Sequence, residues 1–129
     1  MPELADFSKP WYHGSPLRLT VLRAGSTMTQ WRALACVFSH KPTVVSIDED
    51  GTLRHNGTRP GCLYEIDEPV GPQDVVPHPR TTMRSGDEWL TTRDLRLRLI
   101  GETVVHPEAF LSDAAIEAVR KRAGGTAST

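Results

Sequence analysis

The sequence predicts one α+β domain, and three observations carry that expectation. Strand-like segments outnumber helical ones, the helices do not alternate with the strands as in a βαβ array, and ten glycines and ten prolines cut 129 residues into short elements. A chain of this size favours a single domain, here residues 1–129. It buries roughly two thirds of the surface its unfolded form exposes, so no disulfide or metal staple is required.

The elements follow in order. Trp11 and Tyr12 suit a half-buried strand. "LTVL" (19–22), "ACVFS" (35–39), "CLYEID" (62–67), "EWLTT" (88–92) and "LRLRLI" (95–100) also read as strands. "LYEID" and "LRLRL" alternate apolar and polar residues, the period of a strand with one wet face. "ACVFS" is apolar at successive positions and reads as a strand buried on both faces. "STMTQWRALA" (26–35) has room for a helical turn, and "KPTVVSI" (41–47) fits either state, because Pro42 suits a first helical turn while Val44, Val45 and Ile47 favour a strand. Residues 47–61 form a turn-rich loop with Asp-Gly and Asn-Gly signals, and the proline-rich 68–79 reads as a long ordered loop. A helix follows Ser112 or Asp113, either of which can cap it. Ala115, Ile116 and Val119 share a face, Lys121 and Arg122 complement the dipole, and Gly124 and Gly125 end it.

Composition removes several classes of function. Fifteen Lys and Arg against sixteen Asp and Glu leave a net charge of −1, whereas a general phosphate-backbone binder carries a basic excess. Cys36 and Cys62 form no CxxC pair and lie in no zinc-spaced cluster, so both read as buried thiols. No apolar run approaches the ~20 residues of a membrane span. The acidic, polar start "MPELADFSKP" does not look like a secretion signal, so we expect a cytoplasmic protein. Neither GxGxxG nor GxxxxGK[ST] occurs.

Two sites carry chemistry. In "WYHGSP" (11–16), His13 follows an aromatic pair. Gly14 lets a ligand approach the backbone, whose N–H and C=O groups at such a turn suit a carboxamide. In "SGDEWLTTRDLRLRLIG" (85–101), Glu88 opens a strand against Trp89, a good position for an acid or base.

Taken together, "YHGS", "VFS" and "EWLTTRDLRLRLIG" resemble the ADP-ribosyltransferase superfamily, which includes poly(ADP-ribose) polymerases, small rifampicin-modifying transferases and tRNA 2′-phosphotransferases. The resemblance runs from about residue 11 to about residue 102. It implies a split β-sheet core with few short helices, and a C-terminal helix at about 112–123. It also implies NAD as co-substrate, with nicotinamide released and an acceptor (protein, nucleic acid or small molecule) left open. His13 would be the family's histidine and Glu88 its glutamate. "EIDEPVGPQD" is similar to a stretch of the rifampicin-modifying enzymes and would instead make Asp74 the acidic residue. The tyrosine slot on a middle strand falls on Phe38, or else on Val37; Phe38 keeps a ring and lacks the hydroxyl.

By the same resemblance, His13 holds a ribose hydroxyl, Gly14 grips the nicotinamide amide, Ser15 supports the turn, and Phe38 with Tyr12 sandwiches the ring. Arg18 or Arg23 meets the pyrophosphate, with backbone donors from "AGST" (24–27), Ser26 among them. Residues 77–89, carrying His78, Arg80 and Arg84, select the acceptor. Phe38 in the tyrosine slot also fits a second class of function, a non-catalytic module that binds NAD or ADP-ribose. A small partner protein without a ligand is a third.

Overall fold

The computed structural model describes residues 5–81, 83 and 86–118. Its elements are β1 (Tyr12–Ser15), β2 (Val21–Leu22), β3 (Thr27–Met28), α1 (Arg32–Phe38), β4 (Val45–Ile47), β5 (Leu53–His55), β6 (Gly61–Ile66), β7 (Val75–Pro77), β8 (Trp89–Thr91) and β9 (Leu95–Thr103). Short 3-10 turns occupy Pro72–Asp74 and Pro107–Ala109. The domain is therefore strand-rich with few short helices.

All strand pairs are antiparallel. One sheet runs β1-β6-β9-β2 and another β3-β8-β7, while β4 and β5 form a separate hairpin. A single bridge, Tyr12 to Thr29, joins the first two sheets into one curled layer. Inside the curl sit Trp11, Leu22, Met28, Tyr64, Trp89 and Leu95, all nearly inaccessible to water. The alternation in "LRLRL" places Leu95 and Leu97 in this core and turns Arg96 and Arg98 out. A bulge at Ile100, opposite Leu63 and Tyr64, then interrupts the ladder, and Leu99 just before it is exposed.

Residues 35–39 are not the expected strand. Residues 35–38 belong to α1 and Ser39 is its C-cap; Leu34 and Val37 of the helix share one face and pack on Leu53, with Phe38, Val45 and Ile47 at the margin. An unbroken apolar run does not distinguish a buried strand from a buried helix; the partner surface decides. Here the partner is a floor of glycine. A Cβ on Gly14 would lie 1.8 Å from the Ala35 carbonyl oxygen, and one on Gly61 would lie 2.3 Å from that of Ser39. The end of the helix rests directly on bare backbone.

Two further strands lie where loops were expected. β5 falls within residues 47–61, paired with β4 across a turn in which Gly51 has φ +87°. β7 falls within 68–79, and its Pro77 is tolerated because β7 is a sheet edge. The helix after Ser112 covers 113–118 of the described residues, with the Ser112 hydroxyl accepting the Ala115 N–H and Ile116 buried. Val119, Lys121, Arg122, Gly124 and Gly125 lie outside the described residues. Cys62 is buried and Cys36 half-buried, both as free thiols.

Candidate active site

The site grows from an interrupted ladder. Tyr12 and Thr29 exchange both backbone bonds, at 2.7 and 3.0 Å. In an antiparallel pair the next bonded rung lies two residues on, between Gly14 and Thr27. The registers agree with that geometry. Ile66 N–H donates to Trp11 O, so Trp11, His13 and Ser15 direct their backbone groups towards β6, and Gly14 directs its own away. Thr91 N–H donates to Ser26 O, so Thr27 faces away from β8 and towards β1. Yet no backbone bond joins Gly14 to Thr27 among the described residues. The His13 ring takes that carbonyl instead, with Nδ1 2.7 Å from Thr27 O. The Gly14 N–H and C=O are directed towards β3 and make no ladder bond with it.

This contact fixes the state of the imidazole. A carbonyl only accepts, so Nδ1 carries the proton and a neutral ring presents Nε2 as an acceptor. Burial lowers the His13 pKa; the Thr27 bond opposes that shift and the nearby Lys41 charge adds to it. The neutral form is therefore favoured.

Glu88 lies one step before Trp89, whose partner is Met28, so its cross-strand position is Thr29. On the other side, His78 N–H donates to Glu88 O at 3.1 Å. Tyr12, Thr29, Glu88 and His78 thus form one row across four strands. Two spacings of about 4.8 Å put the Glu88 backbone about 10 Å from that of Tyr12. The row shares a sheet face, on the side where α1 covers Gly14, whereas strand alternation starts His13 from the opposite face. The imidazole reaches the gap only by turning along the sheet to β3. The Thr81 hydroxyl donates to Glu88 Oε1 and itself accepts the Met83 N–H at 2.9 Å. Met83 packs against the Leu34, Val37 and Leu53 cluster, as Trp31 and Phe38 do from the two ends of α1.

Asp74 is a carboxylate of another kind. Oδ2 accepts the Gly71 N–H at 2.8 Å and Oδ1 the Arg93 Nε–H at 2.9 Å, and its side chain is only 8% exposed. These two bonds, Gly71 first, hold its pKa below the ordinary range. Arg93 also bonds Glu68 at 2.8 Å, so Asp74 is one corner of a structural network.

The remaining expected residues divide. Tyr12 is half-buried, and the Arg32 guanidinium lies 5.8 Å from its ring centroid. The buried Ser15 hydroxyl accepts the Leu17 N–H at 3.1 Å and braces the turn. Phe38 ends α1 rather than sitting on a middle strand, which moves the ring expected in the tyrosine slot onto a helix. Arg23 is exposed, and Ser26 is half-buried at the far end of β3. The expected anion nest at 24–27 is largely used internally: Ala24 N–H bonds Asp94 Oδ1, Gly25 N–H bonds Thr91 O, and Ser26 N–H bonds Arg23 O. Arg18 pairs with Glu102 at 2.8 Å. Arg80 is exposed, and Arg84 lies outside the described residues.

Thr27, Thr81 and Arg32 had not been singled out. Each lay in a segment the sequence marked (Thr27 in "AGST", Arg32 in 26–35, Thr81 in 77–89), and the Thr27 contact uses a backbone oxygen that any residue would supply. No His/Cys/Asp/Glu group among the described residues has the arrangement of a metal site. No helix among them is long and apolar enough to cross a membrane. The chain matches no protein-family model, no curated protein and no solved structure.

Proposed function

We propose that the protein is an ADP-ribosyltransferase that breaks the nicotinamide–ribose bond of NAD and transfers ADP-ribose to an acceptor. The observation that carries this reading is the open rung: a paired N–H and C=O on Gly14, with a tautomer-fixed imidazole beside them. A primary carboxamide is complementary to such a backbone pair, since its oxygen accepts and its NH2 donates. Nicotinamide seated there puts its ribose next to His13, whose Nε2 accepts a ribose hydroxyl. Phe38, Trp31 and Tyr12 supply aromatic surface on the helix side.

Breaking the C1′–N bond sends its electron pair to the pyridinium nitrogen, so neutral nicotinamide leaves and positive charge develops on the ribose. Glu88 stabilises that charge and accepts the proton of the attacking acceptor hydroxyl. Asp74 is the poorer candidate for this role, because Gly71 and Arg93 already hold both its oxygens.

The experiment is nicotinamide release from NAD, measured on the native chain and on Glu88→Gln. We expect release that falls about 100-fold or more in the variant, the loss typical of removing one electrostatic stabiliser. Unchanged release removes Glu88 from the mechanism. The missing hydroxyl at Phe38 favours the second reading, a module that binds NAD or ADP-ribose without turnover, and calorimetric NAD binding with no release by the native chain decides for it.

A further inference from the structure

On the other side of α1, away from the β1–β3 gap, a largely apolar cavity of about 440 Å³ opens between the helix, β5 and the end of β9. That volume lies in the roughly 300–1,000 Å³ range of small-molecule sites. Ala33, Val37, Leu53 and Val104 supply apolar wall; Glu102, Thr103 and His106 line the β9 end, and His40 and His55 stand together on the helix and β5 side. His40 and His55 are 3% and 2% exposed, with rings nearly parallel at 12° and centroids 5.4 Å apart.

Their bonds give them opposite tautomers. His40 Nδ1 lies 2.7 Å from the Arg59 carbonyl oxygen, so it is the donor and the neutral ring keeps its lone pair on Nε2. His55 Nδ1 accepts the Gly57 N–H at 3.1 Å, so its proton is on Nε2. Neither Nε2 has a partner among the described residues, and neither is sealed from the cavity. An acceptor and a donor therefore lie on two neighbouring rings of one cavity wall. A divalent cation would need lone pairs on both Nε2 atoms, and His55 offers a proton. The matching ligand has a donor and an acceptor on adjacent atoms of a flat apolar body.

We propose that this cavity is a second binding site, for a planar heterocycle with a lactam edge, its N–H donating to His40 Nε2 and its C=O accepting from His55 Nε2–H. The site stands independently of the β1–β3 gap and of the transferase reading. The apolar walls hold the rings of the ligand, and the lactam edge bonds two nitrogens that make no hydrogen bond among the described residues.

The test titrates the 15N-labelled full chain with 2-quinolinone and, separately, with quinoline, which keeps the rings and lacks the lactam pair. Long-range 1H–15N imidazole spectra of the free chain should show the proton on Nδ1 of His40 and on Nε2 of His55. Adding 2-quinolinone should shift both Nε2 resonances, with quinoline binding at least 10-fold more weakly. Ala33→Phe narrows the cavity without touching either imidazole, and His55→Phe removes the donor; each should weaken 2-quinolinone at least 10-fold. If His55→Phe fails to fold, Ala33→Phe and the tautomer spectra decide alone. Identical tautomers, no binding at the solubility limit, equal binding of quinoline, unchanged binding to Ala33→Phe, or shifts confined to Tyr12–Ser15 would each overturn the site.

Discussion

The two edges of β3 behave differently. Towards β8 the ladder is continuous, with Thr27 opposite Leu90, Met28 opposite Trp89, and the adjacent Thr91–Ser26 bond at 2.9 Å. Towards β1 it makes one rung, Tyr12–Thr29, and stops where the His13 ring takes the next carbonyl. The carboxylates repeat the contrast. Asp74 has both oxygens bonded within the fold, while Glu88 shares one oxygen with a hydroxyl. Satisfied polar groups maintain the architecture, and unpaired ones next to a cavity or gap are available to a ligand. Both carboxylates follow turn-rich sequence, so the structural role of Asp74 emerges only with its folded partners.

Gly14 tests this contrast most severely, because it belongs to both sides of it. Its Cα supports α1 while its N–H and C=O face the gap. Gly14→Ala drives a methyl into the Ala35 carbonyl, and neither backbone moves easily. We expect a loss of about 3 kcal/mol or more, the upper end of overpacking, read as a lowered midpoint in urea. A midpoint within error of the native one would mean that α1 does not rest on this strand.

Asp74→Ala comes next. It leaves the Gly71 N–H unbonded and removes one carboxylate from Arg93, for a cost of about 2 kcal/mol in chemical denaturation. Any nicotinamide release should persist in the folded fraction. Release abolished in a variant that remains folded would return Asp74 to the catalytic role.

The smallest effect is with pH. Burial lowers the pKa of both His13 and His55, the latter with help from the His40 charge. The unfolded chain then binds protons more readily than the folded one. The stability due to these rings is complete above their ordinary value near 6.5 and is lost as pH falls from there through the lowered native values. Thermal midpoints should therefore fall between about pH 7 and pH 5. His13→Gln should flatten part of that slope, and an identical slope would show that His13 is solvated. Nicotinamide release should lose its acid limb at the same residue, because protonation removes the Nε2 lone pair.

Much of the strand framework was legible. Period-2 alternation located β6 and the first half of β9, and the aromatic entry located β1. The bulge in β9 was not, because it depends on the partner strand. The helix at 32–38 was legible only in part, as the helical turn expected within 26–35; its second half read as a strand because an apolar run does not by itself fix the state. Its helical state comes from meeting Gly14 and Gly61, which are distant in sequence. For the site, His13 and Glu88 were marked by residue type and by a turn beside a strand. The bonding of Asp74 was hidden, since Arg93 and Gly71 reach it only after folding. The His40–His55 pair was invisible for the same reason: two ordinary histidines acquire opposite tautomers from two backbone groups.

The imidazole at position 13 acts as a wedge standing in for a peptide group. A replacement too short to reach Thr27 frees that carbonyl for Gly14, and the seam between the two sheets can knit closed. If that seam is the proposed nicotinamide seat, loss of one ring would give a firmer chain that no longer binds there, a one-step route to greater robustness.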